Sequence, residues 1–245
     1  MPNLESAFYR VVDSLDDETA SFESVPDLLR TVCSLYDLKS AAYFGVNLSG
    51  EGSEEPLLAV TYSSEWVAHY KIQSFVDIDP VISKGFSSLL PIVWSAYDAR
   101  TTRLKRFFGE AAEFGIGKRG LTIPIRGRNG DRALFTITSD QNLVDWSGSQ
   151  KRFERDFQML AFHLHQRILK ARGVERPAPK LAPRELECLK WRAAGKCNWS
   201  TAQIMGISAK TVACYLETAR VKLNASNTTH AIAKAMSYNL FAIAH

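Results

Sequence analysis

The sequence has no apolar run approaching the roughly 20 residues that a bilayer-spanning helix needs. Its start, MPNLESAFYRVVDSL, lacks the basic stretch and apolar core of a secretory leader. A cytoplasmic chain without membrane contact is therefore expected. Only four cysteines occur (Cys33, Cys188, Cys197, Cys214), none in a CxxC pair, so neither a disulfide framework nor a zinc knuckle is expected. His163 and His165 invite a metal reading, but on a helix side chains two positions apart diverge by about 200° and cannot chelate one ion. No nucleophile–histidine–acid spacing and no phosphate-cradling loop is present. We expect no catalytic residue, no metal and no cofactor.

What the chain does have is length for two domains, with 46% apolar and 23% charged residues over 245 positions. The net charge of +4 is unevenly spread: residues 181–245 carry eight Lys or Arg against three Asp or Glu, whereas residues 1–173 carry 20 against 22. A basic end on a mildly acidic larger part suggests polyanion binding at the C-terminal side. The stretch GVERPAPK, with two prolines after a helical pattern, marks the change of charge and serves as the linker. The expected organisation is 1–172, a linker at 173–180, and 181–245.

The first domain mixes helices and strands. Phe22–Tyr36, Ser64–Phe75 and Arg100–Phe114 have helical spacing, and Ala41–Asn47, Leu57–Tyr62, Leu121–Ile125 and Ala133–Thr138 read as strands. Asn129-Gly130 between the last two is a hairpin signal, because both residues tolerate positive φ. Gln150–Ala171 is a long helix with Phe153, Phe157, Leu160, Leu164 and Ile168 in one stripe. The order predicts an α+β fold, an α-β-α sandwich with an antiparallel sheet, followed by an all-α domain.

In that second domain Pro183–Ala194 forms a helix stopped by Gly195, Asn198 caps a short helix ending at Met205, and Gly206-Ile207-Ser208 turns into a third helix capped by Ser208. Val212, Tyr215, Leu216, Ala219 and Leu223 make its inner face, and Lys210, Cys214, Glu217 and Val221 its outer stripe, flanked by Ala213 and Thr218. Two short helices around a glycine turn fit a helix-turn-helix, whose second helix enters the DNA major groove. Leu181, Pro183, Glu185, Gly195, Lys196, Ile207, Ser208, Thr211, Val212, Leu216 and Lys222 stand in an order that resembles the LuxR-type helix-turn-helix. The candidate DNA contacts are Lys196, Lys210, Thr211, Cys214, Glu217, Thr218 and Lys222, with Lys196 and Lys222 equally readable as solvent lysines. Ala182 departs from the family's Ser or Thr cap, Ser200-Thr201 from its frequent Glu-Ile, and Glu217 leaves the outer stripe without an arginine. Glu217 could accept from cytosine N4 or be salt-bridged, and Glu185 orients a partner side chain or the helix start.

A helix-turn-helix needs an input. A phosphorylated receiver is excluded, because the parallel βα alternation is absent and Asp16-Asp17 follows a helical pattern. The spacing Trp66-x3-Tyr70-x8-Asp79-Pro80-x13-Trp94, with Tyr62 one turn before Trp66 and GLTIP from Gly120, resembles the autoinducer-binding domain of acyl-homoserine-lactone receptors of the LuxR family. That resemblance implies Trp66 Nε1–H to the lactone carbonyl, Asp79 accepting the amide N–H and Tyr62 donating to the acyl carbonyl. Tyr70 and Trp94 would wall the pocket, and Thr136 would add a hydroxyl near the amide. The residue chemistry allows these roles, while core packing of Trp66 and helix capping by Asp79 are the plainer alternatives. Gly120 is read as serving the backbone geometry at a strand start.

The resemblance also implies a ligand-dependent transcription regulator with an N-acyl-homoserine lactone, double-stranded DNA, a second copy of the chain and RNA polymerase as partners. Gln150–Ala171 and Thr229–Asn239, with Ile232, Met236 and Leu240, are candidate dimer helices. An orphan regulator answering a non-lactone signal and a sequestering heterodimer partner remain open; a lactone hydrolase is the least favoured reading.

Overall fold

The computed structural model describes residues 4–16, 24–48, 55–96, 101–127, 130–173 and 179–241; the Arg128-Asn129 turn and positions 174–178 of the expected linker lie outside the described residues. Residues 1–126 and 131–174 belong to one compact unit and residues 175–245 to a second.

The first unit runs α1 (Leu4–Asp16), α2 (Val25–Tyr36), β1 (Ser40–Val46), β2 (Leu57–Val60), α3 (Ser64–Ile72), α4 (Pro80–Ser87), β3 (Ile92–Val93), α5 (Thr102–Glu113), β4 (Arg119–Arg126), β5 (Arg132–Ser139) and α6 (Leu143–Ala171). The strands pair antiparallel in the order β2-β1-β5-β4-β3. Successive side chains of a strand point to opposite faces. Ala41, Tyr43, Leu121, Ile123, Ile125, Phe135 and Ile137 therefore join Leu29, Phe153, Phe157, Leu160 and Ile168 of the helices in one buried cluster. Their neighbours Ala42, Phe44, Leu134 and Thr136 face the other way and line a cavity. The expected α-β-α sandwich with an antiparallel sheet is the observed architecture.

Most boundaries shift by one or two residues from expectation, and the start of α6 and the end of α3 are among those that shift by more. Helix α6 begins at Leu143, capped by Asn142 Oδ1, which accepts from Asp145 N at 3.0 Å. Leu143 and Val144 are exposed and Trp146 is buried, and Ser147-Gly148-Ser149 separates that first turn from the apolar stripe that starts at Phe153. Helix α3 stops at Ile72, because Ser74 adopts the left-handed region (φ 50) ahead of a single 3-10 turn, Phe75–Asp77.

His165 lies in the core. Tyr43 Oη meets its Nδ1 at 2.6 Å and Asp131 Oδ2 its Nε2 at 2.6 Å, so one imidazole ties β1, α6 and the entry to β5 together. Buried polar groups need such partners. Among the described residues no helix is long and apolar enough to cross a membrane.

The second unit contains α7 (Pro183–Ala193), α8 (Asn198–Met205), α9 (Ala209–Lys222) and α10 (Thr228–Ser237). Cys188, Leu189, Ala202, Val212, Leu216, Ala219, Leu223, Ala231 and Ala235 form its core. Ile232 and Leu240 also pack against that core, leaving Met236 as the exposed member of the expected dimer stripe. Ala182 offers no capping oxygen, but Glu185 Oε2 accepts from Ala182 N at 2.7 Å and satisfies one orphan group at the start of α7. The cap of α8 is Cys197, whose Sγ accepts from Ser200 N at 3.5 Å, with Asn198 already helical. Gly206 takes φ 65 at the end of α8, a conformation that glycine adopts without a Cβ penalty. Ser208 Oγ accepts from Thr211 N at 3.0 Å and opens α9, as its sequence position predicts.

Candidate functional site

The second face of the sheet, roofed by α3, α4 and α5, encloses a cavity of about 540 Å³, within the size range of small-molecule sites. Register explains its gradient. Val60, Ala42, Thr136, Thr122 and Ile92 are cross-strand partners in one row, and Leu58, Phe44, Leu134 and Pro124 in another. Hydroxyls thus stand toward the β4 side, and aliphatic and aromatic groups toward β2. All six predicted ligand residues, Tyr62, Trp66, Tyr70, Asp79, Trp94 and Thr136, line this one cavity.

Asp79 is 7% exposed and serves two purposes at once. Its Oδ1 accepts from Val81 N at 2.8 Å and caps α4, and its Oδ2 accepts from Tyr70 Oη at 2.9 Å. Capping and a place in the cavity are compatible, because the two oxygens divide the work. Burial pushes the Asp79 carboxyl up to about 6, against the lowering effect of Tyr70 and the Val81 and Ile82 amides. Burial and the nearby Asp79 carboxylate raise the Tyr62 and Tyr70 phenols, so both remain donors. Among the described residues Tyr62 Oη and Trp66 Nε1 make no hydrogen bond, and both side chains face the cavity. Two free donors and the buried Asp79 carboxylate in one cavity can hold a small polar head group whose own groups include carbonyls and an N–H.

Trp94 does more than wall the cavity. Its Nε1 donates to Thr122 Oγ1 at 3.1 Å, and Thr122 Oγ1 lies 3.1 Å from Thr136 Oγ1. Thr122 is absent from the predicted set. The signal for it is the alternation of β4, which sets Gly120 and Thr122 on one face, but that needs the hairpin register. The expectation for Gly120 is corrected. Its φ is not positive, and its role is steric, since a Cβ there would come within 2.1 Å of the Trp94 indole. His69 and Glu110 are a further pair that sequence reasoning missed: His69 Nε2 meets Glu110 Oε2 at 2.6 Å, joining α3 to α5 across 41 positions of sequence.

In the second unit, Lys196, Lys210, Cys214, Glu217, Thr218 and Lys222 are exposed and Thr211 is half-buried. Their engagements differ. Lys222 Nζ donates to both carboxylate oxygens of Glu185 at 2.8 Å. Burial pushes the Glu185 carboxyl up, but Lys222 and the Ala182 amide outweigh it and hold it below its ordinary value. Glu217 is gripped by Arg220 at 2.6 and 2.9 Å, which lowers its carboxyl. Thr211 Oγ1 pairs with Ser208 Oγ at 2.8 Å, and Thr218 Oγ1 donates to Cys214 O at 3.0 Å. Lys196 and Lys210 have no acidic partner among the described residues.

Residues 21–168 match the autoinducer binding domain, and residues 179–235 match the bacterial regulatory proteins of the luxR family. The chain is 39% identical over 185 residues to the transcriptional activator protein RaiR of Rhizobium etli, covering 75% of this chain and 76% of RaiR. It is 32% identical over 203 residues to the quorum sensing-dependent transcriptional regulator RpaR of Rhodopseudomonas palustris, covering 80% and 79%. Two solved structures of SdiA share the fold at 20% identity. One, from Escherichia coli, has a TM-score of 0.69 over 97% of this chain and 99% of that one. The other, in complex with octanoyl-rac-glycerol, has a TM-score of 0.64 over 99% and 98%. The family is one of transcription regulators rather than enzymes. The chain is therefore a LuxR-type quorum-sensing regulator, with an autoinducer-binding domain ahead of its DNA-binding domain.

Proposed function

We propose that this chain binds an N-acyl-homoserine lactone in the cavity of its N-terminal domain and, as a homodimer, an inverted-repeat DNA site through α9. The carrying observation is the meeting of Trp66 Nε1 and Tyr62 Oη, both without a partner among the described residues, with the buried Asp79 carboxylate in one cavity. Trp66 donates to the lactone carbonyl, Tyr62 to the acyl carbonyl, and Asp79 accepts the amide N–H. Thr136, oriented by Thr122, lies beside the amide, and Tyr70 and Trp94 close the sides. The acyl chain runs over Ala42 and Phe44, and each buried methylene contributes up to roughly 0.8 kcal/mol. We assign the autoinducer-binding domain to 1–172, the linker to 173–180 and the DNA-binding domain to 181–245.

On the DNA side, Lys196 and Lys210 supply phosphate contacts, with Thr211, Cys214, Glu217, Thr218 and Lys222 around them. Arg220 and Glu185 hold Glu217 and Lys222 in place, so these two act through a fixed geometry. The regulator works in the cytoplasm, with RNA polymerase as its downstream partner. The test is co-purification from cells fed butanoyl-, octanoyl- and dodecanoyl-homoserine lactone, followed by mass spectrometry of what is retained. Retention of one lactone by the parent and weaker but measurable retention in Trp66→Phe and Asp79→Asn is expected; undiminished retention by both variants would sink the assignment. An acyl glycerol is the second reading. It is favoured by the SdiA complex with octanoyl-rac-glycerol and by the hydrogen bond that already engages Asp79 Oδ2. Retention of the glycerol ester in place of any lactone would establish it.

A further inference from the structure

Trp66 is aimed into the cavity without any hydrogen bond of its own ring among the described residues. Its helix gives it little help. Helix α3 has nine residues and a single buried side chain, Trp66 itself. Helices of this length are marginal alone and depend on packing, and besides Trp66 it is Tyr70, bonded to Asp79 and edge-on to Trp66, that restrains the roll of the helix from one side. The direction of the indole N–H depends on that roll.

The structure supplies a second restraint, from the side of α5, three positions along from Trp66. The His69 ring stacks on Phe114 with centroids 5.0 Å apart and planes 26° apart, and Phe114 lies 5.4 Å from Trp66. His69 is itself 6.0 Å from Trp66. On its outer side His69 Nε2 meets Glu110 Oε2 at 2.6 Å. Glu110 is held in turn by Arg106, its neighbour one turn earlier on α5. Arg106 Nη2 then reaches Gln73 Oε1 at 3.3 Å, at the residue that caps the C-terminus of α3. His69 and Arg106 hold the Glu110 carboxyl below its ordinary range, so it stands as the acceptor and His69 as the donor. His69 and Glu110 are 26% and 18% exposed, which shields the contact from the screening of a surface pair.

We propose that His69, anchored by Glu110, is a positioning residue that fixes the roll of α3 and thereby the direction in which Trp66 presents its N–H to the ligand. This rests on the reading of Trp66 as a ligand donor. A helix free to roll would still bury an indole, but it would lose the alignment that a hydrogen bond requires.

The test is a thermodynamic cycle on the full chain. Its probe is whichever of butanoyl-, octanoyl- or dodecanoyl-homoserine lactone the parent binds most tightly. His69→Ala should weaken capture about tenfold in the parent and less than about twofold in Trp66→Phe, since contacts that act through one another are non-additive. His69→Gln, which keeps an N–H donor, should recover most of the loss. The melting temperature should fall by the same amount in both backgrounds, which separates positioning from general stability. An equal loss of affinity in both backgrounds, or none in the parent, overturns the proposal. If His69→Ala does not fold, Glu110→Ala, which removes the anchor of His69, decides by the same criterion. Should Trp66→Phe bind the probe as well as the parent, the lactone reading itself falls, an outcome distinct from additivity.

Discussion

Trp94 occupies the space that a side chain on Gly120 would fill. A Cβ built on Gly120 would lie 2.1 Å from Trp94 Cδ2 and 2.3 Å from Cε2. Two positions along the same strand face, Thr122 takes the indole N–H. The absence of one side chain and the hydroxyl of the next together seat the ring. Gly120→Ala must therefore push the indole out of contact with Thr122. We expect a loss of about 1–3 kcal/mol, typical of an overpacked core, in urea unfolding, with lactone capture weakened in parallel. Unchanged stability would mean that the ring has an alternative seat.

Asp79 makes opposite demands on the free and ligand-bound protein. Burial raises its carboxyl from 3.8 to about 6, so the folded chain binds the proton more tightly than the unfolded chain. The corresponding stability is fully present below the unfolded value and is lost as pH rises through about 6. Asp79→Asn can still cap α4. Without ligand it should be more stable than the parent at neutral pH, by up to about 3 kcal/mol, and flat across this window in denaturant titrations. Lactone capture by the parent should instead weaken as pH falls through the same range, because the amide N–H needs the carboxylate. A constant affinity across it would contradict the assigned role.

Glu185 has the reverse sign. Lys222 and the Ala182 amide hold its folded-state carboxyl below the ordinary value. Its contribution is therefore present above the unfolded pKa and lost as pH falls through the folded one. Glu185→Ala leaves an orphan amide at the start of α7 and an unpaired Lys222. It should destabilise the DNA-binding domain by about 1–3 kcal/mol, measured as a lower melting temperature. Glu185→Gln should recover part of the loss, through the amide contact alone.

Lys196 and Lys210, like Lys190 on α7, are exposed cations of the DNA-binding domain that carry no acidic partner among the described residues. Lys210→Ala should weaken DNA binding similarly across sequences and reduce the slope of log affinity against log salt by about 1. A sequence-dependent loss would make Lys210 a base-reading residue instead.

The imidazole of His165 is engaged at both ring nitrogens in the N-terminal core. Its replacement by Ala removes one partner from the buried Asp131 carboxylate and one from the Tyr43 hydroxyl at once, and about 3–5 kcal/mol should be lost in chemical denaturation. Tyr43→Phe removes one bond and should cost about 1–3 kcal/mol. Equal effects of the two variants would argue against a shared network.

Much of this was legible from spacing. Local signals located α9, because a glycine turn and a serine cap lie beside each other in sequence. Tyr62, Trp66, Tyr70, Asp79, Trp94 and Thr136 were found through the resemblance of their pattern, and the sheet register then brought them to one cavity. What stayed hidden depends on contacts between distant segments. Thr122 matters because β4 pairs with β5 in one register, and Glu110 because α5 packs beside α3. The engagement of Glu217 and Lys222 was beyond composition too, since an exposed charge looks the same in sequence whether it is paired or free. Asn198 was mistaken for a cap because its thiol neighbour, a weaker acceptor, holds that position instead.

Along β1, Ala42 and Phe44 border the cavity while Tyr43 between them turns its phenol to His165. A slip of that strand by a single position would thrust a tyrosine into the binding space and leave phenylalanine opposite an imidazole and a carboxylate. Every sequence that preserves the buried polar triad thereby preserves the floor of the pocket, so selection for a well-formed core guards the receptor surface at no extra cost.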